Sequence, residues 1–99
     1  MKSRQALLSA PDQPFEVVES EIPVLTAGQI LVRQELCGVC VTDAHMWKGR
    51  LPGVVYPLVL GHEALGIIAD IGGGARPVDC VGRSVAVGDR IYIVPGISC

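Results

Sequence analysis

The sequence predicts a mainly β domain, a small and partly open barrel with one or two short helical turns. Three observations lead there. Apolar residues recur with a period of two, not about 3.6, along most of the chain, as half-buried strands require. The runs are short and broken by Gly and Pro, of which there are 12 and 7, so the chain turns often. Aromatics make up only 4% against 49% hydrophobic residues, which leaves a core of Val, Ile, Leu and Ala. Many short strands joined by such turns fit a barrel.

Residues 5–9 read as the first strand, ended by the turn formers Ala10-Pro11-Asp12-Gln13-Pro14. Residues 15–19 form the second, with Phe15, Val17 and Glu19 on one side and Glu16 and Val18 on the other. Pro23 and the Ala27-Gly28 pair punctuate the stretch after it. Residues 29–36 give the clearest strand: Ile30, Val32 and Leu36 face one way, Arg33 and Glu35 the other. Residues 40–48 change character, and Thr42 or Asp43 is expected to cap a short helix closed by Gly49. Pro52 and Pro57 force a loop. Residues 59–71 predict one long buried strand, with Gly61 and Gly66 allowing bends or bulges. Gly72-Gly73-Gly74 is a turn and residues 77–84 a loop insertion. Residues 85–94 return as strand, with a tight turn at Gly88-Asp89. A Pro95-Gly96 turn then leads to Cys99 without a closing helix or polar tail, which reads as the boundary of a piece of something larger.

Composition bounds the function. Ninety-nine residues make one small domain at most, which leans on a partner or belongs to a longer chain. Net charge is −2 and the eight Lys and Arg are scattered, so nucleic acid is not an expected partner. The opening MKSRQALLSAPDQPF lacks the apolar core of a signal peptide. The longest apolar stretch, residues 58–71, is broken by Gly61, His62, Glu63 and Asp70 and falls short of the ~20 residues that span a bilayer. A soluble cytoplasmic protein with no membrane partner is expected. Cysteines at 37, 40, 80 and 99 would suit two disulfides in a secreted mini-protein; without a signal peptide, thiol or metal chemistry is favoured.

Two clusters carry chemistry: Cys37-Gly38-Val39-Cys40-Val41-Thr42-Asp43-Ala44-His45 and Gly61-His62-Glu63. Zinc takes thiolate and imidazole ligands, and a catalytic site keeps one position open. A Cys after one strand and a His at the start of another can converge on one ion, and Asp43 is the candidate to accept the other ring N–H of His62. His62 and Glu63 are adjacent, so in a strand they point oppositely; a bend at Gly61 would relax that. Each cluster alone also has a plain reading, a buried thiol or a structural histidine. Cys37-x-x-Cys40 is also the spacing of a redox pair, although the βαβ context of such motifs is missing.

Residues 61–75, GHEALGIIADIGGGA, follow the pattern Gly-His-Glu-x2-Gly-x5-Gly-x2-Ala. Together with CGVCVTDAHMWKG and VGDRI at 87–91, they resemble the N-terminal GroES-like domain of the zinc-dependent medium-chain alcohol dehydrogenases over nearly the whole chain. The resemblance implies an oxidoreductase that moves a hydride between an alcohol, polyol or amino alcohol and NAD or NADP. Cys40 and His62 stand at two zinc-ligand positions, and Glu63 at that of a carboxylate able to approach the metal. Asp43 matches the partner of the ligand histidine. Thr42 matches the hydroxyl that hydrogen-bonds the alcohol oxygen, and His45 the outer end of a proton relay reached through a cofactor ribose.

The same resemblance places a third ligand Cys beyond position 99, in a protein that also carries a Rossmann cofactor domain and is a homo-oligomer. On that reading residues 1–99 are a GroES-like domain without its cofactor half, inactive alone and weak in zinc unless Glu63 or another thiol completes the site. Val41 stands where many relatives place Arg or His against the cofactor pyrophosphate, and Cys99 at the first position of a structural-zinc lobe. Met46, Trp47 and Leu51 either line a substrate cleft or pack the core. The alternatives are a zinc-free quinone reductase-like relative, a non-enzymatic GroES-like binding module, and a Cys37–Cys40 redox protein.

Overall fold

The computed structural model describes residues 1–74 and 76–94. Its elements are β1 (Lys2–Leu8), β2 (Glu16–Glu21), β3 (Ile30–Gly38), α1 (Val41–Trp47), β4 (Leu58–Val59), β5 (Glu63–Ile71) and β6 (Arg90–Tyr92). The protein is thus mainly strand with one short helix, as its periodicity predicts. The strands form two three-stranded sheets, ordered β2-β1-β4 and β3-β5-β6. The chain divides into two compact units: Met1–Ile22 with Gly38–Gly61, and Pro23–Cys37 with the chain from His62 onward.

In the first unit β1 is the central strand. It pairs antiparallel with β2 from Lys2↔Glu21 to Leu7↔Glu16, and with β4 through Leu7↔Val59 and Leu8↔Leu58. The hairpin begins three residues before the predicted start because its outer face is polar. Lys2 lies opposite Glu21 and Arg4 opposite Glu19, cross-strand pairs of opposite charge. On the opposite face Gln5 Nε2 donates to Ser20 Oγ at 3.1 Å, and at the end of the strand, where β4 joins it, Leu8 is completely buried.

In the second unit β5 lies between β3 and β6. It pairs antiparallel with β6 through Leu65↔Tyr92, Gly66↔Ile91 and Ile67↔Arg90. The ladder continues outside the strand: Ile68 N–H donates to Asp89 O at 3.0 Å and Gly88 N–H to Ile68 O at 2.9 Å. Asp89 also closes the turn, its Oδ2 accepting from Ala86 N–H at 2.8 Å while its own N–H donates to Ala86 O at 3.1 Å. Gly88 takes the positive φ of +98° that this turn needs. The strand predicted over 85–94 therefore contracts, because residues 86–89 are spent on the turn. Among the described residues of this unit, Ile68 is the one large apolar side chain with almost no exposure, at 1%.

Two further expectations change. The long strand over 59–71 is two strands in different sheets, separated by a break in which Gly61 has φ +119°. Gly61 allowed a bend, but the pattern could not reveal a change of sheet there, since periodicity is blind to which sheet a residue joins. The insertion over 77–84 is a closed loop: Val78 bridges Ser84, and Asp79 Oδ1 accepts from Val81 N–H at 3.0 Å and Arg83 N–H at 2.8 Å. Ala75, the Pro95-Gly96 turn and Cys99 lie outside the described residues.

Candidate metal centre

The first unit supplies Cys40, Thr42, Asp43 and His45. Cys40 is the N-cap of α1, with extended backbone at φ −123° and ψ 178°. The sequence pointed to Thr42 or Asp43 as the cap; both lie inside the helix. Cys40 and Asp43 instead form a capping box, in which Asp43 Oδ2 accepts from Cys40 N–H at 3.0 Å and the Cys40 side chain accepts from Asp43 N–H. The Cys-x-x-Asp spacing was the available signal, since it copies the Ser/Thr-x-x-Glu form of such boxes. Asp43 is only 7% exposed, the one buried charged side chain among the described residues. A buried carboxylate needs donors, and here one of them is the amide of the cysteine that the sequence singles out as a ligand.

Thr42 is exposed and His45 half-buried. They are three positions apart, so they are neighbours along one side of α1. Asp43, Met46 and Trp47 lie on another side, spaced three and four residues apart. The C-terminal end of α1 is held by the β1–β2 turn. Asp12 N–H donates to Trp47 O at 2.8 Å, Trp47 Nε1 donates to Gln13 O at 2.8 Å, and Lys48 Nζ reaches Asp12 Oδ1 at 2.9 Å. The Tyr56 hydroxyl donates to Met46 O.

The second unit supplies His62 and Glu63. His62 immediately precedes β5 and Glu63 is its first residue, both half-buried. The bend expected at Gly61 is present. Cys37, near the end of β3, is half-buried, Cys80 is exposed, and neither they nor Cys40 form a disulfide. The first unit offers a half-buried thiol in Cys40, and the second a half-buried imidazole and carboxylate in His62 and Glu63. That mixture of sulfur, nitrogen and oxygen donors fits zinc.

Sequence reasoning treated Gly66 and Gly72 as bends or motif letters, and missed why they are glycine. A Cβ on Gly66 would stand 2.5 Å from Arg33 O, and one on Gly72 would stand 1.9 Å from Thr26 O. Both glycines let β5 lie against the backbone of residues 26–33, and so fix the strand that starts at Glu63.

Residues 26–99 match the family model described as the alcohol dehydrogenase GroES-like domain. The chain belongs to that family. Its relatives include the starvation-sensing protein RspB of Escherichia coli, 36% identical over 97% of this chain and 26% of that protein. An S-(hydroxymethyl)glutathione dehydrogenase of Haemophilus influenzae is 41% identical over 79% of this chain and 21% of its own length. An alcohol dehydrogenase from Thermotoga maritima superposes with TM-score 0.84 at 34% identity, covering 93% of this chain and 25% of that one. RspB from another E. coli strain, solved as a complex with the cofactor NADH, gives TM-score 0.75 at 34% identity over 99% and 26% of the two chains. This alcohol dehydrogenase GroES-like domain thus spans about a quarter of the length of the relatives it matches. No helix among its described residues is long and apolar enough to cross a membrane.

Proposed function

We propose that this domain is the catalytic-zinc part of an NAD(P)-dependent dehydrogenase that interconverts an alcohol, polyol or amino alcohol and its carbonyl. The observation that carries the proposal is a half-buried Cys40 at the N-cap of α1, braced by Asp43, in a chain that also sets His62 and Glu63 at the head of β5 and belongs to a family named for alcohol dehydrogenases. Cys40 and His62 would hold zinc, with Glu63 near it, and Asp43 would orient the ligand set. When bound, the ion would act as a Lewis acid toward the substrate oxygen. Thr42 accepts the hydroxyl proton's hydrogen bond, and His45, whose ring nitrogens can both accept and donate a proton, passes it to solvent. A bound nicotinamide would supply the hydride acceptor, so that one alcohol and NAD(P)+ would yield a carbonyl, NAD(P)H and one proton. The whole protein would work as a cytoplasmic homo-oligomer on small molecules, with the nicotinamide held largely by regions outside residues 1–99.

Metal analysis tests the reading directly. Zinc should be present in the purified dehydrogenase, and Cys40→Ser should weaken its affinity by more than the ~10–100-fold typical of losing a residue that only supports a ligand. A wild-type protein without zinc removes the proposal. His45→Gln should slow alcohol oxidation most at the acid end of the pH–rate profile; an unaltered profile would take His45 out of the relay.

A further inference from the structure

Trp47 is the residue on which the C-terminal half of α1 is pinned. Its carbonyl accepts from Asp12 N–H and its indole N–H donates to Gln13 O, both at 2.8 Å, so one side chain and its own backbone grip two consecutive residues of the β1–β2 turn. Lys48 Nζ lies 4.5 Å from the Trp47 ring centroid and 2.9 Å from Asp12 Oδ1, which closes the arrangement from the solvent side. Gly49 packs so closely on the same turn that a Cβ would stand 2.9 Å from Pro11 Cγ. Asp12 itself holds φ +59°, a left-handed conformation that Asp tolerates better than most residues and that presents its N–H to the helix end.

A helix of seven residues is too short to define its own orientation. Its rotation and pitch are set by what holds its ends. At the N-terminal end that is the Cys40–Asp43 box; at the C-terminal end it is the Trp47 contacts. Trp47 lies four residues after Asp43 on one side of the helix, while Thr42 and His45 lie along another. Any rotation of α1 that breaks the Trp47 hydrogen bonds therefore swings Thr42 and His45 as well.

From this we infer that Trp47 and Asp12 are positioning residues for the proton relay, and that Trp47 does not belong to a substrate-lining set. The inference rests on the dehydrogenase reading above and deepens it: the β1–β2 turn, remote in sequence from every candidate ligand, sets the direction of Thr42 and His45.

The test uses the purified dehydrogenase with two variants. Trp47→Phe keeps the ring and deletes the indole N–H; Asp12→Gly keeps the left-handed backbone and deletes the carboxylate that holds Lys48. Misplacement of a reacting group by 1 Å can cost ~100-fold, and each variant removes only part of the anchor, so kcat should fall ~10-fold with KM within ~2-fold. Hydrogen exchange of the α1 amides should quicken while that of β5 stays as in wild type. A purely structural role would lower the melting temperature and leave kcat within ~2-fold, and that result in both variants overturns the inference. Cobalt(II) substitution separates the failures. A wild-type protein that shows no thiolate–cobalt charge-transfer band brings down the dehydrogenase reading and this inference with it. A wild-type band together with unchanged kcat in both variants brings down the positioning role alone.

Discussion

A Cβ at position 72 would overlap the Thr26 carbonyl oxygen, at 1.9 Å, and one at 66 would meet Arg33 O at 2.5 Å. Backbone cannot give way as a flexible side chain can, and neither glycine has a positive φ, so space alone demands glycine at both. Gly72→Ala should cost ~3 kcal/mol, the upper part of the range for overpacking, and Gly66→Ala nearly as much. Gly53 is the contrast: nothing lies within 4 Å of its Cβ position, but its φ is +80°, so alanine there should cost only ~1 kcal/mol of conformational strain. Urea unfolding midpoints of the three variants should follow that order, and a Gly53 variant as damaged as Gly72 would contradict the spatial account. The same residues mark what sequence could reveal at this scale. Gly66 and Gly72 were legible as letters of a motif, but the atoms that exclude a side chain belong to residues 26–33, some forty positions away. Cys40 and His62 could be proposed as ligands from the sequence because donor chemistry is a property of the residue itself. The role of Cys40 as a helix cap had only the Cys-x-x-Asp spacing to signal it, because a cap is defined by backbone angles.

At the scale of elements, an ion pair spans the second sheet from edge to edge. Arg90 on β6 donates from Nε to Glu35 Oε1 at 2.9 Å and from Nη2 to Oε2 at 3.4 Å, reaching over the central β5 to β3. The hydrogen bonds from Arg90 hold the Glu35 carboxyl below its usual value of 4.5; loss of hydration pulls the other way, and the smaller effects of the Arg90 and Arg33 charges add to the lowering. A depressed carboxylate stabilises the fold above its unfolded-state pKa and loses that contribution as pH falls through its folded-state pKa. Glu35→Gln should therefore be less stable than wild type at pH 7, and the two unfolding midpoints should converge below the ordinary glutamate range. Both side chains are partly exposed, so the gap should also shrink in high salt. A gap that persists at pH 3 would assign the loss to packing instead. The pair was not legible beforehand: sequence placed Arg33 and Glu35 on one face of a strand but gave no register between β3 and β6. Strand existence was legible from period-two patterning, whereas the break at Gly61 and the shortening of β6 depend on pairings made only after folding.

For the molecule as a whole, the family and its mainly β architecture were readable because three separate segments, residues 37–49, 61–75 and 87–91, carry independent parts of one pattern. Burial was not readable. Hydrophobic residues are 49% of the sequence, yet among the described residues only Leu8 and Ile68 are large side chains with under 2% exposure. Val17, Val39 and Val41 are 74%, 86% and 68% exposed. Alternation identifies two faces of a strand without saying whether enough layers exist to cover either one, and a chain this short buries a small share of its surface. Among the described residues each compact unit therefore has one fully enclosed large aliphatic side chain, Leu8 in one and Ile68 in the other. Leu8→Ala and Ile68→Ala should each cost ~2–5 kcal/mol, a large part of the ~5–15 kcal/mol that holds an ordinary domain folded. Val17→Ala, on the exposed face of β2, should stay within ~0.5 kcal/mol of wild type. Equilibrium unfolding in urea measures all three, with a common denaturant slope as the check that the denatured state has not changed. Comparable losses for Val17→Ala and Leu8→Ala would mean that stability is spread over the exposed valines and not concentrated at the two enclosed positions.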